Sequence, residues 1–285
     1  FPYTTLFRSF ALGMSAYWVG ALRLLMAGLF FITLAIWVEQ RTRPSSQGRL
    51  DMPRLLLCAL CMAVYNLAFF AGLQRTGIGL GTAVALGSSP IWAGLLQAAW
   101  QRQWPQWVWW LGTFIGVMGG FGMALATAQS MVLSASGIAL CLLSGLAYGA
   151  YAVMSQLLVR QSGLTRVNAW VFGAAALMAL PCAAVLGDLP QVDTRAWAVV
   201  TYLGIVATGV AYLLFSSGLR TVSAATSVAL TKFEPITAFV LSIVVVGEAP
   251  SWLSAAGLAL VLLGLWLVVH SEIRQHRQST QVQLP

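Results

Sequence analysis

Charge is scarce in this chain. Only 8% of its 285 residues are charged, against 59% that are hydrophobic, and the mean hydropathy is +0.83. A water-soluble domain of this length needs more charge to stay in solution, so that class is excluded. Histidine is almost missing: the two present, His270 and His276, lie near the C-terminus. The four cysteines (Cys58, Cys61, Cys141, Cys182) all sit inside apolar runs, which argues against a disulfide framework. Cys58 and Cys61 have CxxC spacing but no histidine nearby, so they make neither a metal site nor a redox pair. The sequence contains no phosphate-binding glycine loop, zinc-protease motif or nucleophile elbow. Carboxylates at membrane depth are also lacking, apart from Glu234. No enzyme and no cofactor is expected. The net charge of +8 does not point to nucleic acid, because the positive residues fall in short loops and form no basic face.

What is present in abundance is apolar sequence in runs near the thickness of a bilayer core. The reading is nine spans, roughly 15–38, 54–73, 80–100, 107–126, 136–158, 168–187, 196–218, 223–246 and 252–270. Runs of this length in lipid must be helices, since a lone strand cannot satisfy its backbone there. The lipid bilayer is therefore the first expected partner. The linkers 41–53, 101–106, 187–194 and 247–251 carry the breakers. The polar stretch 271–285 reads as a disordered tail.

The spans repeat. Pro90 recurs as Pro235, Pro105 as Pro250, Trp107 as Trp252, Gly112 as Gly257 and Gly119 as Gly264, all at an offset of 145. Thr82 to Leu86 recurs as Thr226 to Leu230 with the offset slipped by one. Trp18-Val19 and Leu25-Met26-Ala27 recur as Trp170-Val171 and Leu177-Met178-Ala179, 152 residues on. Folding this onto the spans gives a first repeat at 15–126, with four of its five helices, and a second at 136–270. The partner of span 136–158 would lie before residue 1. The expectation is thus a ten-helix all-α membrane protein of five plus five helices, with the first helix missing from this chain. Residues 1–14 are expected to be non-native or truncated, because FPYTTLFRS resembles translated sequencing adapter. Five is odd, so the second repeat starts on the opposite side of the membrane and the halves are inverted.

Positive charge orients the chain. If the expected first helix starts in the cytoplasm, Arg41, Arg43, Arg49, Arg54, Arg102, Arg160, Arg166, Arg220, Arg274 and Arg277 fall on the cytoplasmic side. Arg75 and Arg195 fall outside, beside Asp188, Asp193 and Glu248. That bias places the C-terminus in the cytoplasm.

Four stretches carry a resemblance. They are Ala21-Leu-Arg-Leu-Leu-Met-Ala27, then Gly81 to Pro90, then Phe233-Glu-Pro235 followed by Gly247-Glu248, and the paired glycines Gly112/Gly119 and Gly257/Gly264. On these the chain resembles the EamA-like group of the drug/metabolite transporter superfamily, from about residue 15 to 270. The resemblance implies ten helices in inverted repeats. It also implies a central cavity lined by the first four helices of each repeat, the fifth ones packing outside, and movement of small metabolites such as amino acids. The first half departs from the family pattern by placing Arg102-Gln103 where Gly-Glu is common.

Candidate site residues follow from chemistry at depth. Arg23 lies within an apolar span, where a charge costs about 2.5 kcal/mol or more. It either anchors a substrate carboxylate or phosphate, or snorkels to the interface or bonds backbone carbonyls. Lys232 and Glu234 flank the start of a proline break: Pro235 removes an N–H and frees the carbonyl of Thr231. One of the two charges contacts substrate or a coupling ion, or the pair clamps the kink. Pro90 is the equivalent of Pro235 and is expected to kink its helix too, freeing the carbonyl of Leu86. Tyr65, Asn66, Phe69, Trp92, Tyr148, Tyr151, Trp170, Tyr212 and Phe215 form an aromatic and polar set suited to amphipathic solutes, unless they are interfacial aromatics. Asn66 lines the cavity or ties helices together. Gly112, Gly116 and Gly120 form a ridge for close helix packing, within the protomer or between two.

Without an ATP-binding domain, such a carrier draws on a gradient or runs by facilitated diffusion. The reading is therefore a secondary transporter of the bacterial inner (plasma) membrane that moves a small organic solute, an amino acid or related metabolite, outward by alternating access. The alternatives are a membrane protein without flux and an intramembrane enzyme acting on lipid.

Overall fold

The computed structural model describes residues 14–41, 50–102, 104–127, 133–187, 194–241, 243–244 and 251–282. Among them the chain is helical throughout, without strands. The helices are α1 (Ala16–Arg41), α2 (Met52–Thr76), α3 (Ile78–Gln101), α4 (Trp107–Thr127), α5 (Ala135–Ser162), α6 (Leu164–Leu186), α7 (Thr194–Gly204), α8 (Ala211–Gly218), α9 (Ala224–Leu230), α10 (Phe233–Leu241) and α11 (Trp252–Val282). A π-helical segment, Ile205–Val210, joins α7 to α8, and the three pieces together form one apolar span. Eight spans among the described residues are long and apolar enough to cross a membrane. They match the sequence reading except at 223–246, which is two short helices, α9 and α10, rather than one. The linker residues Arg43, Arg49, Gln103, Asp188, Asp193, Gly247, Glu248 and Pro250 lie outside the described residues.

Two compact units emerge, and each draws on both halves of the sequence. The first holds the described residues up to Ala71 together with Val153–Val222; the second holds Gly72–Ala152 and the described residues from Ser223 onward.

In the first unit α1 lies antiparallel along α6, its repeat equivalent. Gly28 meets the backbone of Gly173, while Gly187, just past the end of α6, meets Ser15 and Trp18 at the start of α1. The rings of Phe31 and Phe172 sit 5.2 Å apart between them. Packing of this kind holds helices together in lipid, where apolar faces gain little by leaving an equally apolar solvent. On another side α1 meets the π segment: Gly204 faces Met26, and Gly209 faces the Phe30 ring. Thr208 Oγ1 donates to the Leu203 carbonyl five residues back, 2.8 Å away. Asn168 on α6 and Ser216 on α8 exchange two hydrogen bonds of 2.9 and 3.1 Å. Gln156 Nε2 donates to the carbonyls of Leu219 and Val222, closing the C-terminal end of α8.

The second unit is built on α4 and α11, again an antiparallel pair of repeat equivalents. Gly112 touches Gly264, and Gly119 touches Gly257. A Cβ on Gly264 would lie 2.5 Å from the Gly112 carbonyl oxygen and 2.6 Å from the Gly116 nitrogen, so the backbones touch directly. Gly120 meets nothing within 4 Å. The expected ridge is therefore turned: Gly112, Gly116 and Gly119 pack, and Gly120 does not. Met123, Val261 and Leu265 continue the contact, with Ile236 and Phe239 of α10 packed on them.

Helix α11 runs to Val282, which corrects the expectation of a disordered tail from 271. No glycine or proline interrupts 271–282, and Glu272 is put to use at once. Its carboxylate accepts from Ser223 N at 3.0 Å, from Ser223 Oγ at 3.1 Å and from Thr226 Oγ1 at 2.7 Å. Ser223 is the N-cap of α9 and accepts from Thr226 N. Negative charge at a helix N-terminus is stabilising, and here it also meets otherwise unpaired donors. Gln97 Oε1 accepts from Ala225 N at 2.9 Å, and Trp109 Nε1 donates to Thr226 Oγ1 at 3.0 Å.

Two outcomes test this packing by thermal unfolding in detergent. Gly264→Ala forces a methyl group into backbone that cannot yield and should cost about 1–3 kcal/mol or more, whereas Gly120→Ala should leave the melting temperature unchanged or slightly raised. Glu272→Ala strands three donors at the start of α9 and should cost about 1–3 kcal/mol, more than the ~1 kcal/mol expected for Ser223→Ala.

Candidate functional site

Each unit carries its own set of polar groups within the apolar spans. In the first unit the set lies where α1 meets α2. Gly20 and Arg23 are three apart on α1, and Asn66 and Phe70 are four apart on α2, so each pair shares a face. The absence of a side chain at Gly20 brings Asn66 close: a Cβ there would lie 2.7 Å from Asn66 Oδ1 and 2.8 Å from the Phe70 ring. The Arg23 guanidinium lies over the same ring, 5.7 Å from its centroid. Its Nε is buried and has no hydrogen-bond partner. Asn66 is 1% exposed, and neither of its amide atoms has a partner. Arg23 Nε thus meets neither a carboxylate nor a backbone carbonyl.

The aromatic candidates of this unit divide. Tyr65 and Phe69 are ring neighbours at 6.1 Å, as their spacing predicts. Tyr212 packs edge-on to Phe172 at 4.9 Å and touches Phe215 at 5.9 Å. Trp170 is 49% exposed and is not brought into either group.

In the second unit the helix break at Lys232 is the central feature. Helix α9 ends at Leu230 and α10 begins at Phe233. Across the gap the backbone switches to tight three-residue bonds: Thr231 N to Val228 O and Lys232 N to Ala229 O, each 3.2 Å, and Glu234 N to Thr231 O at 2.9 Å. The Thr231 carbonyl expected to be free therefore accepts from Glu234. Lys232 is 8% exposed and its Nζ donates to the Thr113 carbonyl on α4 at 2.9 Å. Gly116 makes the room for it, since a Cβ there would stand 3.1 Å from Nζ. Thr113 Oγ1, beside this carbonyl, is buried without a partner. Glu234 and Pro235 are partly buried in the first turn of α10.

Pro90 behaves differently from its equivalent. It is buried within α3, which continues unbroken from Ile78 to Gln101. The hydroxyls of Ser88 and Ser89 both turn back onto the Ala85 carbonyl, at 3.2 and 2.6 Å. Trp92 follows on the same helix, beside Gly149 of α5, with its Nε1 buried and unpartnered. Tyr148 and Tyr151 stack at 6.2 Å, as their shared helical face predicts. Among the described residues no group of three His, Cys, Asp or Glu could hold a metal ion.

Sequence reasoning missed Gly20, Phe70, Thr113 and the Glu272 network. Gly20 alone left a signal, as the small residue one turn before an intramembrane arginine.

Similar proteins match nearly the whole chain. A solved crystal structure superposes with a TM-score of 0.80 at 19% identity, covering 96% of this chain and 94% of the other. The "Uncharacterized transporter YwfM" of Bacillus subtilis (strain 168) is 31% identical over 258 residues, which are 90% of this chain and 85% of that protein. The "Probable terminal-alkyne amino-acid exporter" of Streptantibioticus cattleyicolor is 24% identical over 278 residues, covering 96% and 92% of the two chains. The EamA-like transporter family matches twice, over residues 3–125 and 135–270. With its apolar helices and this double match, the chain is an integral membrane protein that belongs to the EamA-like transporter family.

Proposed function

We propose that this protein is a secondary transporter that exports a small organic solute, an amino acid or a related amphipathic metabolite, by alternating access between two inverted repeats. The observation that carries the reading is the contact between α4 and α11. The offset of 145 turns Gly112 into Gly257 and Gly119 into Gly264. The contacts Gly112–Gly264 and Gly119–Gly257 are then the same contact, exchanged by the repeat. Two equivalent helices that run antiparallel and touch through equivalent residues are what a two-fold axis in the membrane plane produces. The antiparallel pairing of α1 with α6, also repeat equivalents, supports the same axis. The repeats run 15–126 and 136–270, with 271–285 as a cytoplasmic tail, in the bacterial inner membrane.

Substrate contacts are assigned to Arg23, Tyr65, Asn66, Phe69 and Tyr212 of the first unit, and to Trp92, Tyr148, Tyr151 and Lys232 of the second. Trp170 belongs to the same set by sequence, and its exposure supports it least. Glu234, Pro90 and Pro235 are coupling or structural residues. The direction and the solute class lean on the amino-acid exporter named among the relatives. Lys232 serves two ends in this reading: one N–H holds the Thr113 carbonyl, and its remaining donors are available to solute.

Counterflow in proteoliposomes tests the reading. The expected result is saturable exchange of one class within a panel of labelled amino acids and amines, competed by unlabelled analogues. Lys232→Ala should abolish that exchange while the protein still elutes as a folded monodisperse species. Folded protein that exchanges nothing in the panel, or a Lys232→Ala variant with unchanged exchange, counts against the carrier or against the lysine respectively.

A further inference from the structure

The first unit keeps unpaired donors in a place where nothing in the fold uses them. We propose that Arg23 and Asn66 form a subsite for the carboxylate end of the solute, with Gly20 as the position that lets Asn66 approach. The subsite rests on the transporter reading above and deepens it by naming the group that is recognised.

The observations converge from independent sides. Arg23 Nε is buried and unpartnered, and so are both polar atoms of Asn66. Buried polar groups in proteins are almost always paired, and in lipid no bulk water makes up the difference. Both residues border Phe70: the guanidinium lies over its ring, and Asn66 packs against Gly20 where the ring edge also arrives. A ring face holds a guanidinium plane in place at little entropic cost.

The chemistry favours a carboxylate. The guanidinium supplies parallel N–H donors with the spacing of the two carboxylate oxygens. The amide presents one donor and one acceptor whichever way it is turned, so it completes the anion and takes an N–H or O–H from the neighbouring part of the solute. A phosphate dianion would need a second cation. The other described arginine side chains of this unit, Arg41, Arg54, Arg160, Arg166 and Arg220, lie in the end turns of their helices or just past them, which leaves Arg23 as the one positive charge at this depth among the described side chains of the unit. The aromatic pair Tyr65 and Phe69, on the same helix as Asn66, offers apolar surface to the rest of such a solute.

The test uses the full chain in detergent and does not require transport. Thermal unfolding is followed with acetate, benzoate and 3-phenylpropionate, and with the neutral amide of each. At least one acid should raise the melting temperature at concentrations tenfold or more below those needed by its amide. Arg23→Met should remove that difference, Asn66→Ala should weaken the acid response several-fold, and Gly20→Ala should remove it by pushing Asn66 and Phe70 aside. Arg23→Lys keeps the charge but loses the planar fork; its response should fall between those of the wild type and Arg23→Met, and it decides the matter if Arg23→Met does not fold. Acids no better than their amides on the wild-type protein overturn the proposal, as does an undiminished preference for acid in Arg23→Lys and Asn66→Ala. Acid-selective binding without counterflow would keep the subsite and remove the carrier. Counterflow indifferent to the carboxylate would do the reverse.

Discussion

A helix that stops inside a bilayer must find partners for the backbone groups it strands, because lipid offers none. The break between α9 and α10 meets that demand locally. Thr231, Lys232 and Glu234 donate to carbonyls three residues back, and the Lys232 side chain closes onto Thr113 of α4. That closure requires α4 to lie within reach and to carry no side chain at Gly116. The position of α4 is in turn set by its glycine contact with α11. The break is thus tolerable only because a separate helix pair is already in place.

That pair shows how membrane helices gain from contact. Apolar side chains have no reason to leave lipid for one another, so the gain comes from close fit. Gly112 against Gly264 and Gly119 against Gly257 bring backbone to backbone. Met123, Val261 and Leu265 extend the same seam. The seam consumes the ridge within the chain, which leaves Gly112 and Gly119 no surface for a second copy.

Each unit pairs part of its buried polarity. In the second, Trp109, Thr226, Glu272, Ser223 and Gln97 link into a network that fastens the start of α9. In the first, Asn168 and Ser216 pair, but Arg23 Nε and the Asn66 amide do not. Unpaired buried groups occur in both units, Thr82, Trp92 and Thr113 among those of the second, but Arg23 and Asn66 border the same Phe70 ring.

The sequence by itself determined the spans, the duplication, the aromatic pairs and the break at Pro235. All of these are local: hydropathy over twenty residues, identity at a constant offset, neighbours at three or four positions, and a missing N–H. Only tertiary structure decided the rest. Pro90 and Pro235 are equivalent in sequence, yet α3 runs on through the first, whereas α9 stops at Leu230 before the second, where Lys232 reaches the Thr113 carbonyl of α4. Gly119 rather than Gly120 meets α11 because a helix apolar on all sides carries no pattern that says which face turns inward. Glu272 reads as part of a polar tail until the chain folds and sets it against the first turn of a helix whose N-cap, Ser223, lies 49 residues earlier.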